Sequence, residues 1–154
     1  MEQSEAKYLT FALEGGHVQY AIAVERVKQI TGISGITNIP VTPKTIKGFI
    51  NLRGKIIPVI DLRLKFDLGE KPFTDRTYVI VGNIHVEEVK KQIGIAVDEV
   101  SEVVNIQEVD VEPLPKDRST SMLKGTARTK EKEILLMNID SLLNAEEINL
   151  LKQT

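Results

Sequence analysis

The feature that most constrains this fold is that the chain repeats itself. QYAIAVERVKQI at 19–30 returns as QIGIAVDEVSEV at 92–103, with the glutamine, the IAV core, an acidic residue and the next valine in register. Three further matches keep the same order. KYLTFAL (7–13) resembles RTYVIVG (76–82), IKG (46–48) resembles LKG (123–125), and IIPVIDLRL (56–64) resembles ILLMNIDSLL (134–143). The offset drifts from about 70 to 79 residues, as small loop insertions would make it. One pair alone would say little, because apolar strands resemble one another. Several in one order indicate two copies of one unit, expected at 7–70 and 74–152, with room for the two to exchange strands at their ends. Residues 1–6 are expected to form a flexible lead.

Within each copy the apolar period is mostly two. Leu9, Phe11 and Leu13 alternate with Thr10 and Ala12, and Tyr20, Ile22 and Val24 alternate with small residues, which predicts half-buried strands. Gly15-Gly16 supplies a turn, since glycine reaches positive φ without strain. Pro40, Pro43, Pro113 and Pro115 keep the middle of each copy out of central strands. About five short strands per copy are too few for an open sandwich. A small closed barrel, which removes unpaired edges, fits better, so the fold class expected is mostly β with two five-stranded barrels.

Two patterns depart from that period. Val24, Val27 and Ile30 are three apart, as are Val97, Val100 and Val103, which predicts a helical turn or two at the same place in both copies. DLRLKFDL (61–68) is read as a short helix capped by Asp61. Asn144 followed three residues later by Glu147 has the capping-box spacing, and Ile148 and Leu151 share a helical face. A C-terminal helix is therefore expected.

The core must be aliphatic, because the 154 residues contain no Trp and aromatics make up only 5%. A net charge of -2 gives no basic footprint for nucleic acid or anionic lipid. Without cysteine there is no disulfide and no thiolate chemistry, which fits a reducing compartment. The start, MEQSEAKYL, lacks a secretion signal, and no apolar run is long enough to cross a bilayer. A soluble, cytoplasmic protein without membrane insertion is expected.

The segment IKGFINLRGKIIPVIDLR (46–63) is the most distinctive in the chain. With YAIAVERVKQI, GIAVDEVSEV and NIDSLLNAEEINLL, it resembles the CheW family, the coupling proteins of bacterial chemotaxis, across nearly all of residues 7–152. That resemblance implies two SH3-like five-stranded barrels around a shared core, short helices and no catalytic activity. It also implies a bridging role, between the cytoplasmic tips of chemoreceptors and the regulatory domain of the histidine kinase CheA. CheW-like domains also occur inside CheA and fused to receiver domains. The length here leaves no room for those partners, so a free-standing coupling protein recruited to receptor arrays is expected. A CheW-like protein serving pili or development is the alternative within the family. Outside it stands an orphan β-barrel binding a small ligand or nucleic acid.

Nothing in the residue pattern announces catalysis or a cofactor. His17 and His85 sit in turn or charged contexts, no serine has a nucleophile-elbow setting, and no phosphate loop or GxGxxG occurs. The acidic residues lack calcium-loop spacing, and no metal or cofactor is implied. Arg53, between two apolar runs, admits two readings: a solubilising charge at an exposed hairpin, or a planar guanidinium that forks onto a partner's carboxylates or carbonyls. In the family a glutamate pairs with this arginine; here Gln29 stands in its place, so a hydrogen bond can replace the ion pair. The valine stripes also admit two readings. Val24 and Val97 suit the core, while Val27, Ile30, Val100 and Val103 suit either a barrel plug or an apolar groove for a receptor helix. With Gln29 and Arg53 they form the expected receptor site, with Lys55 at its rim. Ile39, Lys47 and Gly48 are the expected kinase contacts, Gly48 also reading as a turn or bulge glycine.

Overall fold

The computed structural model describes residues 5–13, 18–38, 43–69, 71–114, 122–129 and 132–153. The first copy supplies β1 (Glu5–Ala12), β2 (Gln19–Ala23), β3 (Val27–Gly32), β4 (Ile46–Leu52), β5 (Lys55–Asp61) and the short helix α1 (Leu62–Lys65). The second supplies β6 (Tyr78–Val86), β7 (Val89–Val97), β8 (Glu99–Gln107), β9 (Val111–Glu112), β10 (Leu123–Thr129), β11 (Lys132–Met137) and α2 (Ala145–Lys152). β1 begins two residues earlier than the sequence suggested, with Glu5 opposite Gln107 and Ala6 opposite Ile106. The Gly15-Gly16 turn and His17 lie outside the described residues.

Two sheets result, in the orders β8-β1-β2-β11-β10-β9 and β3-β6-β7-β5-β4. Neither is confined to one copy. The six-stranded sheet takes β1 and β2, the first two strands of the first copy, with β8–β11 of the second. The five-stranded sheet takes β6 and β7, the first two of the second copy, with β3–β5 of the first, so the copies interlock reciprocally. Each sheet curls toward closure at an equivalent seam. Thr37 and Phe49 exchange backbone hydrogen bonds of 2.8 and 3.0 Å in the five-stranded sheet, and β9 pairs with β10 in the six-stranded one. The matched glycines of IKG and LKG sit at these seams. A Cβ on Gly48 would lie 2.2 Å from the Thr37 carbonyl oxygen, and one on Gly125 would lie 2.8 Å from that of Glu112.

Because inner strands are covered on both faces, burial falls into three clusters. Tyr8, Ala21, Ile106, Ala127, Ile134 and Leu136 fill the six-stranded curl. Ile33, Ile50, Ile57, Val59, Val79 and Val81 fill the five-stranded one. Between the sheets lies a larger central core that includes Leu9, Phe11, Ile22, Ile60, Ile80, Ile95 and Ile139. Each fully buried Ile, Leu or Phe contributes about 1.5–3 kcal/mol, so the aliphatic composition is sufficient for a triple core.

Both expected caps form. Asp61 Oδ1 accepts the Arg63 amide at 3.0 Å, and Asn144 and Glu147 make a reciprocal capping box. Glu147 also anchors α2. Its fully buried carboxylate accepts hydrogen bonds from Lys65 Nζ at 2.6 Å and from the Thr45 hydroxyl. Phe11, Tyr20 and Phe66 stack in series, with ring centroids 5.7 and 5.0 Å apart.

The helical reading of the two valine stripes is overturned. Only Val24–Arg26 forms a helical turn, a single 3-10 one, and the remaining stripe residues lie in β3, β7 and β8. Their spacing of three has another cause. Leu9 and Phe11, two apart on β1, oppose Val103 and Val100, three apart on β8. Likewise Ile80 and Gly82 on β6 oppose Ile30 and Val27 on β3. An extra residue on one strand of a ladder is a β-bulge, and both copies carry one at the same place. The bulges also shift the internal alignment. They equate Leu9 with Ile80 rather than with Tyr78, a two-residue slip that a period of two cannot detect.

Candidate docking site on the bulged edge strands

β3 and β8 end the ladder order of their sheets, and the bulges fix which way their side chains point. Residues directly opposite in a ladder project to the same face. Ile30 faces with Ile80, Val100 with Phe11 and Val103 with Leu9, and all three partners belong to the central core. Both stripes therefore border one core from two sheets.

Exposure then divides each stripe. Val97 is core at 1% exposed, and Val24, Val27 and Val100 are partly buried against the central cluster. Ile30 and Val103 emerge, 42% and 53% exposed. Tyr78, in the ladder opposite Gly32, adds a third exposed apolar surface on the same side as Ile30. The inner members plug the inter-sheet core and the outer members offer aliphatic surface to solvent, so the two sequence readings apply to different residues of one stripe.

The two bulges satisfy their backbone differently. On β8 the extra residue takes Glu102 out of the ladder. The buried Thr10 hydroxyl repairs this, donating to the Glu102 carbonyl at 2.9 Å and accepting its amide at 3.0 Å. On β3 the ladder resumes at once, with Gln29 opposite Val81.

Arg53 lies elsewhere, at the tip of the β4–β5 hairpin. The turn is Arg53-Gly54, with φ of 53° and 85°, and Asn51 Oδ1 accepts the Gly54 amide at 3.0 Å. Positive φ at both positions matches a type I′ hairpin turn, which favours Asn-Gly. An arginine there costs on the order of 1 kcal/mol. The side chain is exposed, and among the described residues it has neither an ion-pair partner nor a hydrogen bond to the half-buried Gln29. The structure thus joins Val27, Ile30, Val100 and Val103 around one core and sets Arg53 apart from them.

Of the expected kinase contacts, Gly48 is buried under the Thr37 backbone and Ile39 lies outside the described residues. Lys47 is half-buried and lines a cavity of about 750 Å³ with Ile33, Ile36, Asn38 and Phe73. Close by, burial pushes the Asp61 carboxyl above the ordinary carboxylate range, against the pull of Arg63 and Lys47. Arg63 is itself buried, 3.6 Å from both Asp61 and Asp98, and donates to the Lys71 carbonyl at 2.7 Å.

One polar anchor of this region was not foreseen from sequence. Arg26, in the turn leading into β3, grips Asp140 with both terminal nitrogens and donates through Nε to the Asn83 carbonyl at 3.2 Å. Asp140 also accepts the His85 amide at 2.9 Å. Despite partial burial, which acts the other way, these hydrogen bonds hold its carboxyl below the usual range. No local signal marks a pair separated by 114 residues. Among the described residues, no group of three or more His, Asp or Glu is placed to hold a metal ion, and no helix is long and apolar enough to cross a membrane.

The model of the CheW-like domain family matches residues 7–147. The chain is 36% identical over 147 residues to the chemotaxis protein CheW of Klebsiella aerogenes, covering 94% of this chain and 85% of that one. It is 33% identical over 133 residues to the chemotaxis protein CheW of Bacillus subtilis, with coverages of 86% and 81%. Among solved structures, the crystal structure of scaffolding protein TtCheW from Thermoanaerobacter tengcongensis superposes with a TM-score of 0.80. That comparison has 32% identity and covers 95% and 92% of the two chains.

Proposed function

The chain belongs to the CheW-like domain family of chemotaxis scaffolds, and from that premise we propose that it couples chemoreceptor cytoplasmic tips to the regulatory domain of CheA. It does so without catalysis, from the cytoplasmic face of receptor arrays. The observation that carries this reading is the pair of bulged edges, which leave Ile30 and Val103 exposed beside one inter-sheet core. A helical hairpin needs a few aliphatic anchors bordered by polar groups. Ile30 and Val103 serve as the anchors and half-buried Val27 and Val100 form the floor, while Gln29 on β3 and Arg53, set apart at the β4–β5 tip, supply separate polar contacts to the receptor. The conformational cost of Arg53 supports a role in binding, because asparagine would make the same turn with less strain.

The kinase binds barrel against barrel, using the seam end where Lys47 neighbours Gly48, with Ile39 as a further contact. Holding both partners in fixed relation lets a receptor rearrangement bias the kinase between two states, provided the assembly binds those states unequally. The test is separate capture of a receptor hairpin fragment and of the CheA regulatory domain by Ile30→Glu and Arg53→Glu. Both variants should fold normally and lose the receptor fragment while keeping the kinase domain. Normal capture of the receptor fragment by both would falsify the site.

A further inference from the structure

Two residues beyond Ile30, on the same face of β3, stands Gly32, with Tyr78 opposite it in the ladder. A glycine in a strand ordinarily answers a positive φ or a close approach. Neither applies here. Gly32 is exposed, its φ lies outside the left-handed region, and a Cβ built on it would have no heavy atom within 4 Å. The other glycines of the described strands differ. A Cβ on Gly48, Gly82, Gly94 or Gly125 would come within 2.8 Å of a neighbouring atom. Nor does Tyr78 shield the gap. A ring folded over a cross-strand glycine protects its backbone, but such a ring would lie within 4 Å of the built Cβ. Tyr78 is instead 44% exposed, and with Ile30 it borders an open place on the surface.

The other copy treats the equivalent place differently. Val103 and Leu9 occupy the ladder positions of Ile30 and Ile80, so Asn105 and Lys7 occupy those of Gly32 and Tyr78. Both are exposed. The two edges match at their aliphatic anchors and diverge one step further out. Beyond Ile30 lies a gap beside an aromatic ring; beyond Val103 lie an amide and an ammonium group.

We propose that the Gly32 gap, bordered by Ile30 and Tyr78, seats one large apolar side chain of the receptor hairpin, and that the Lys7–Asn105 end offers no such seat. This rests on the docking reading above and adds the class of side chain that is selected. One turn of a helix advances about 5.4 Å, and strand positions on one face are about 6.8 Å apart. A helix lying along β3 with one residue on Ile30 therefore brings its next turn over Gly32. Tyr78 supplies a broad, rigid ring for that side chain to pack against.

The test is calorimetric titration of a chemoreceptor hairpin fragment into the full chain and its variants. Gly32→Val should keep or raise the thermal midpoint, because valine suits an open strand position better than glycine, yet lose about tenfold or more in affinity. Tyr78→Ala should lose about as much, whereas Tyr78→Phe, which keeps the ring, should bind within about twofold of the parent. Asn105→Val, at the matching place in the other copy, should stay within about threefold. Parent-like affinity in folded Gly32→Val overturns the seat, and so does an equal loss in Asn105→Val. Ile30→Glu, titrated alongside, separates this proposal from the one beneath it. If Ile30→Glu loses the fragment and Gly32→Val keeps it, only the seat is overturned; if Ile30→Glu keeps it, the docking surface is overturned as well. If Gly32→Val does not fold, Gly32→Ala replaces it under the same criteria.

Discussion

The two bulged edges are copies of one device that solve its internal problem differently. In the six-stranded sheet Phe11 occupies the position facing Val100, and the Thr10 hydroxyl closes the backbone gap at Glu102. In the five-stranded sheet the equivalent positions are Gly82 and Val81. A Cβ on Gly82 would lie 2.7 Å from Ile139 Cδ1 and 3.1 Å from the Arg26 carbonyl. One copy fills the space with its own ring; the other clears it for the Arg26 turn and the Ile139 segment. What the copies share is the outward result, an aliphatic residue brought to the surface beside a common core. Packing has diverged while the exposed geometry has stayed paired.

The comparison breaks most visibly at those two positions. Phe11→Ala should cost about 3–5 kcal/mol through an unfilled cavity. Gly82→Ala should cost about 1–3 kcal/mol through overpacking. Urea denaturation of both variants measures the difference, and equal costs would mean that the positions are not filled in opposite ways. Next in size is Thr10→Val, which keeps the shape but leaves Glu102 without its partner. A loss of about 1–3 kcal/mol is expected, together with faster amide exchange at Glu102. Val81→Thr should show no matching gain, because the Gln29–Val81 ladder already satisfies the backbone there.

A smaller effect concerns the Arg26–Asp140 pair that borders the cleared space. Asp140 titrates below its unfolded value of 3.8. The unfolded chain thus binds its proton first, and the stabilisation is complete above that value and lost as pH falls through the folded pKa. Asp140 is a third exposed, so the contribution is discounted for solvent screening to about 1 kcal/mol or less. Thermal midpoints between neutral pH and pH 3 should fall more steeply for the parent chain than for Asp140→Asn. Parallel curves would remove the pair from the account.

Much of this was legible in the sequence, and the failures have a common cause. Duplication, the aliphatic core, the Asp61 cap and the Asn144–Glu147 box depend on local pattern and chemistry, so they could be read directly. The valine stripes could not be read correctly. A spacing of three arises both from a helical turn and from two strand residues that straddle a bulge, and only the partner strand distinguishes them. Which strands the copies exchange, beyond the exchange at their ends that the repeat allows, the Arg26–Asp140 grip and the Gly48 and Gly125 seams depend on residues distant in the chain. Local propensity carries no trace of them. Sequence alone proposes Val27, Ile30, Val100 and Val103 as docking residues without placing them; which of them reach solvent is set by the bulges.

The most direct test of the proposed docking surface is calorimetric titration of a receptor hairpin fragment into Ile30→Glu and Val103→Glu. Each variant should lose about tenfold or more in affinity, while its stability stays within about 0.5 kcal/mol of the parent, as for other exposed substitutions. Wild-type affinity in both stable variants would contradict the claim that the paired edges form one docking surface.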